Sequence, residues 1–141
     1  YATGPAEIIA AMTKIHQFNM LCAPITGQVA AEVALNEALD DMAAMIETYH
    51  QRRDFFHSGL ESIGLPCIRP EGAFYMFPSI AKTGLTSMDF CKRLLNEESV
   101  AVVPGSAFGE SGQGYFRASY AASFRTLEAA LKGIERFLGR L

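Results

Sequence analysis

At Gly64-Leu65-Pro66 the apolar pattern of this chain changes its period, and that change limits the fold more than any other feature. Before it, apolar residues recur every three or four positions, as on one face of a helix. Ile8, Met12 and Ile15 form such a stripe over residues 5–20, with Pro5 read as the first helical residue and Glu7 in the first turn. Pro24 interrupts the pattern, and an Ala-rich helix follows over 26–39 with Val29, Val33 and Leu39. Asp40 and Asp41 are N-cap candidates for a third helix. Its stripe is Met42, Met45, Ile46, Tyr49, Phe56, Leu60 and Ile63, with Arg52 and Arg53 turned outward. Gly64 should end this helix, and Pro66 prevents its restart.

After the change, short runs rich in aromatic and β-branched residues are bounded by Gly and Pro. Residues 73–77, between Gly72 and Pro78, read as a strand; 100–103, stopped by Pro104-Gly105, as a second; 115–120 as a third. Thr86-Ser87-Met88-Asp89 resembles a capping box and opens a helix with Phe90, Leu94 and Leu95 inward. From Ser123, Leu127, Leu131, Ile134, Phe137 and Leu138 mark a strongly amphipathic helix. Three helices followed by strand–helix–strand–strand–helix indicate an α/β chain of the α+β two-layer kind, a small sheet with flanking helices.

Composition narrows the function. Half of the 141 residues are apolar and the formal net charge is −3, which is incompatible with a disordered chain. Twelve basic against fifteen acidic residues leave no cationic excess for nucleic acid. Cys22, Cys67 and Cys91 form no CxxC pair, so neither a disulfide framework nor a zinc site is indicated, and reduced thiols in a cytoplasmic protein fit the pattern. No apolar run reaches the 18–20 residues or so that span a bilayer, so no membrane association is expected.

Several constellations fail on inspection. Gly105-Ser106-Ala107-Phe108-Gly109 has Ala where a nucleophile elbow needs its serine. Ser79-Ile80-Ala81-Lys82 overlaps Lys82-Thr83-Gly84, so one lysine would have to serve two motifs. Gly105, Gly109, Gly112 and Gly114 do not match a phosphate loop and read as turn residues. Glu47 and His50 are a single ExxH, without the second copy and further glutamates a di-iron bundle requires. His50 and His57 would stand about 10.5 Å apart along a helix, too far to share a metal. His16, His50 and His57 therefore read as helix-surface residues.

Arg117 is different. In Tyr115-Phe116-Arg117-Ala118-Ser119-Tyr120, alternation puts Phe116, Ala118 and Tyr120 on a core face and Tyr115, Arg117 and Ser119 on the other. Two readings remain on pattern alone. Arg117 is either solvent-facing or a planar guanidinium mounted on a rigid strand to hold a carboxylate bidentately.

A resemblance separates them. Gly4-Pro5, Lys14-Ile15-His16-Gln17, Cys22-Ala23-Pro24, Tyr49 with Arg52-Arg53, Pro70-Glu71-Gly72-Ala73-Phe74-Tyr75, Val103-Pro104-Gly105-Ser106 and Arg117-Ala118-Ser119-Tyr120-Ala121 follow one another in this order. In this the chain resembles the C-terminal third of a fold-type I, class I/II aminotransferase dependent on pyridoxal phosphate. The resemblance implies terminal helices of a large domain over 1–39, and the small C-terminal domain, entered by a long connecting helix, over 40–141. It implies that Arg117 grips the substrate α-carboxylate and that Phe74 lies on the cleft wall. The substrates would be an amino acid and a 2-oxo acid, and the parent a homodimer.

The family's cofactor-binding lysine stands in a Ser-Lys segment, and Lys14, Lys82, Lys92 and Lys132 are in no such context. The resemblance thus implies that the fragment alone carries no catalytic or cofactor-binding residue, holds no pyridoxal phosphate and is inactive. A transcription regulator with an aminotransferase-like domain, a free-standing ligand-binding module and a related lyase are the competing expectations.

Overall fold

A computed structural model describes all residues from Tyr1 to Leu141. The chain divides into two compact units, residues 1–43 and 44–141. Its helices are α1 (Ala6–Asn19), α2 (Ile25–Glu37), α3 (Leu39–Ser62), α4 (Ser87–Glu98) and α5 (Phe124–Leu138). Its strands are β1 (Tyr75–Met76), β2 (Val103–Pro104) and β3 (Phe116–Ser119).

In residues 1–43 the helices form where the periodicity puts them, but no side chain of α1 or α2 is buried. Ile8, Met12 and Ile15 are exposed, and Phe18 is 80 % exposed. Pro5 lies one position earlier than expected, as the N-cap residue, with φ −54° and ψ 138°. Its carbonyl still accepts from the amides of Ile8 and Ile9. Asp40 and Asp41 are not caps either. They sit inside the first turn of α3, where their charge faces the positive end of the helix dipole.

Residues 44–141 hold a continuous core. α3 contributes Phe56 and Leu60, α4 Phe90 and Leu94, β3 Phe116 and Ala118, and α5 Leu127, Ile134 and Phe137. The Phe90 ring stacks on Phe116 with centroids 5.2 Å apart and meets the edge of Phe137 at 5.3 Å. Burying each such ring stabilises the fold by roughly 1.5–3 kcal/mol. A β-carbon on Gly59 would meet the end of the Leu131 side chain, which would have to shift to admit it.

Gly64 closes α3 as expected, at φ +82°. The Leu65 amide reaches back to the Leu60 carbonyl at 3.0 Å and the Gly64 amide to Glu61, the paired bonds of a Schellman cap. Local caps also open α4 and α5. The Asp89 amide donates to Thr86 Oγ1 at 3.1 Å, and the Thr126 amide to Ser123 Oγ at 3.2 Å.

Four expectations are corrected. Arg53 is 9 % exposed and points inward, donating to Asp54 Oδ1 at 2.9 Å and to the Pro70 carbonyl at 3.4 Å. Arg52 is half-buried, its Nε without a partner and its guanidinium over the Tyr49 ring. Met42, Met45 and Ile46, expected on the inner stripe of α3, are exposed. Leu95 is 49 % exposed rather than inward. The first two strands also shrink. Ala73 adopts φ +57°, which turns the chain just before β1, and only Val103 of the 100–103 run enters the ladder.

The sheet order is β1-β3-β2, antiparallel throughout. Tyr75 pairs with Ser119, Met76 with Ala118, Val103 with Arg117 and Pro104 with Phe116. The α/β class with a small sheet and flanking helices is therefore observed.

Candidate functional site

β3 is the central strand, so its residues are held from both sides. Phe116 and Ala118 point into the core as the alternation requires, and Tyr120 follows them. Arg117 consequently stands on the opposite face, opposite Val103 and diagonal to Tyr75 across the ladder. Its side chain makes no ion pair, whereas Arg53, Arg69, Arg93, Arg136 and Arg140 each do. Two aromatic rings hold it instead. The guanidinium carbon lies 4.2 Å from the centroid of Tyr75 and 4.6 Å from that of Phe108. A shallow cleft of about 200 Å³ opens there, lined by Tyr75, Ala101, Val102, Val103, Arg117 and Ser119. With no acidic group among those residues, the cleft is a cationic spot on an apolar wall.

The surrounding backbone is pinned. Gly105 donates to the Tyr115 carbonyl at 2.9 Å, and a β-carbon on Gly105 or on Gly112 would strike the other's backbone. These two glycines serve close backbone approach, whereas Gly109 and Gly114, at φ +113° and +84°, serve turns. The buried Ser87 hydroxyl accepts from the Gly114 amide at 3.0 Å and the Tyr115 amide at 3.3 Å, and donates to the Gly112 carbonyl at 3.3 Å. On the other edge, Tyr120 donates its phenol to the Ala73 carbonyl at 2.8 Å, holding the left-handed residue that precedes Phe74. Burial raises the Tyr120 pKa, which keeps this donor protonated.

Phe74 packs against Tyr49 at 6.2 Å and Tyr75 at 4.6 Å, one ring removed from Arg117. Tyr75 and Phe108 were not singled out by the sequence. Both lie in the motifs quoted above, but which rings meet Arg117 depends on strand pairing. Ser79 Oγ accepts from the Ala81 amide, Lys82 lies in a single 3-10 turn, and His57 donates to the Cys67 carbonyl at 2.8 Å. No three His, Cys, Asp or Glu residues gather as a metal site. The three cysteines are free, and burial pushes the Cys91 thiol up to about 11.

The sequence model described as "Aminotransferase class I and II" matches residues 1–134. The chain belongs to that family. It is 48 % identical over 138 residues to a putative aminotransferase of Bacillus subtilis, YugH, covering 98 % of this chain and 36 % of that protein. The aromatic aminotransferase of Pyrococcus horikoshii superimposes with a TM-score of 0.90 at 42 % identity, over 98 % of this chain and 38 % of that one. The Thermus thermophilus aspartate aminotransferase with maleate gives 0.84 at 36 % identity, over 94 % and 35 %. The chain thus spans little more than a third of the length of the relatives it matches.

Aminotransferases of this family use pyridoxal phosphate. Lys14, Lys82, Lys92 and Lys132 are all exposed, and none lines the Arg117 cleft. Lys132 is paired with Glu128 at 2.6 Å. No helix is long and apolar enough to cross a membrane.

Proposed function

We propose that the chain is the C-terminal portion of a longer pyridoxal-phosphate-dependent aminotransferase that moves an amino group between an amino acid and a 2-oxo acid. In this reading residues 1–39 are the last helices of the large domain and 40–141 the small domain. That α1 and α2 bury no side chain, while residues 44–141 hold a core of their own, supports a division near this point. The parent is read as a cytoplasmic homodimer, and the fragment as inactive by itself.

One observation carries the role of this chain. Arg117 is a strand-mounted guanidinium held by rings, with no acidic partner, on an apolar cleft. Its part is to bind and orient the substrate α-carboxylate through two parallel N–H donors. That a relative was solved with maleate, a dicarboxylate, supports a carboxylate as the ligand. Two charge-assisted hydrogen bonds would contribute roughly 3–6 kcal/mol. Phe74, one ring away, would line the cleft wall.

The test uses the full-length parent. Arg117→Ala should lower kcat/KM for amino acids by about a hundredfold or more while cofactor binding is retained. Arg117→Lys keeps the charge but loses the fork, and should lose about ten- to a hundredfold. The loss should shrink for an amine that lacks the carboxylate. An Arg117→Ala enzyme within threefold or so of wild type on amino acids would remove Arg117 from the site.

A further inference from the structure

We infer that Tyr75 and Phe108 are positioning residues that hold the Arg117 guanidinium in a fixed plane, its faces covered by the rings and its N–H edges left for a carboxylate. The inference rests on the reading of Arg117 as the carboxylate-binding group. The two rings come from opposite sides of β3. Tyr75 belongs to β1, and Phe108 to the 3-10 turn Gly105–Phe108 that follows β2. They lie 4.2 Å and 4.6 Å from the guanidinium carbon and form no ring pair with each other. A guanidinium stacks on aromatic faces and donates from its edge, so ring contact restrains its plane without using its donors.

Neither ring is placed there by the core. Tyr75 is 37 % exposed and Phe108 49 %, and burial alone gives them no reason to meet Arg117. Phe108 is braced instead. Its edge meets Phe77 at 6.0 Å, and Phe77 stacks on Tyr115 at 5.5 Å, the residue whose backbone is tied to Gly105 and Ser87. An arginine on an open strand face would otherwise sample many rotamers and lose that freedom each time a substrate bound. Holding it beforehand reduces that loss, which favours affinity rather than the chemical step.

The experiment compares Tyr75→Leu, Phe108→Leu and the double variant in the full-length parent, each also made in the Arg117→Ala background. Each single change should raise KM for the amino acid roughly two- to fivefold, and the double change roughly five- to twentyfold, with kcat little altered. Tyr75→Phe keeps the ring and should keep the wild-type KM. With Arg117→Ala already present, the leucine changes should add nothing. The turnover of an amine without a carboxylate and the absorbance of the bound cofactor should not move. Leucine variants with wild-type KM, or with an equal loss in the Arg117→Ala background, would overturn the positioning role. If Arg117→Ala itself leaves amino-acid turnover intact, the carboxylate reading fails first; if Arg117→Ala is impaired but the ring variants are not, only this inference fails.

Discussion

Residues 1–43 and 44–141 both carry helix signals in the sequence, yet they differ in what those helices accomplish. α1 and α2 bury no side chain, while α3, α4 and α5 enclose Phe56, Phe90 and Phe137. The contrast teaches that periodicity specifies a helix and its apolar stripe, not the presence of a surface to receive it. Most helical stability in proteins comes from packing that stripe, and isolated helices of 13 or 14 residues are marginal in water.

Separating the two units tests this most directly. Residues 44–141 alone should melt cooperatively, whereas 1–43 alone should show little helix by circular dichroism. The 141-residue chain should also self-associate with rising concentration through the Ile8, Met12 and Ile15 stripe, and 44–141 should do so far less. A stable, monomeric helical peptide 1–43 would break the comparison.

Single truncations should then diverge. Phe116→Ala, at a fully buried ring, should cost about 3–5 kcal/mol in denaturant unfolding. Ile8→Ala, at an exposed position, should stay within about 0.5 kcal/mol of wild type. Equal losses at the two positions would show that α1 is packed after all.

A smaller effect sharpens the account of the second unit. Ser87→Ala removes the side-chain acceptor of the Gly114 amide, leaves the Tyr115 amide only its bond to the Gly112 carbonyl at 3.2 Å, and should cost about 1–3 kcal/mol. Faster amide exchange at residues 105–115 should accompany it. Unchanged exchange there would mean the hydroxyl is not what pins the turn.

The smallest effect is electrostatic. The Arg140 and Arg136 guanidinia beside Glu98 hold its carboxyl below the usual range, linking the end of α4 to α5. A carboxyl whose folded pKa is depressed adds stability that is present above its unfolded value, about 4.3, and is lost as pH falls through the folded value. Acid titration of the unfolding midpoint should therefore show a decline below about pH 4.3 that is shallower in Glu98→Gln. An identical acid slope in the variant would assign the decline to the other carboxyls that basic partners lower, Asp54, Glu97 and Glu128.

What was legible in the sequence was local. Ser123, Thr86 with Asp89, and Gly64 act within one helical turn, so cap and stop could be read from neighbours a few residues away. The β3 alternation was equally legible because side chains on a strand alternate whatever pairs with it. The family motifs were legible too, being contiguous strings of residue types.

Where each apolar stripe would find a partner was not local. Leu95 and Met45 match their helix periods but lie beyond the edge of the packed face, and Arg53 lies within it because Pro70 supplies an acceptor 17 residues away. Strand pairing brought Tyr75, and the 3-10 turn after β2 brought Phe108, to Arg117, from 42 and 9 residues away in the chain. Short-range sterics and hydrogen bonding act on neighbours along the chain and so can be read from its order. The meeting of residues far apart depends on which surfaces bury most together, and only the folded structure decides that.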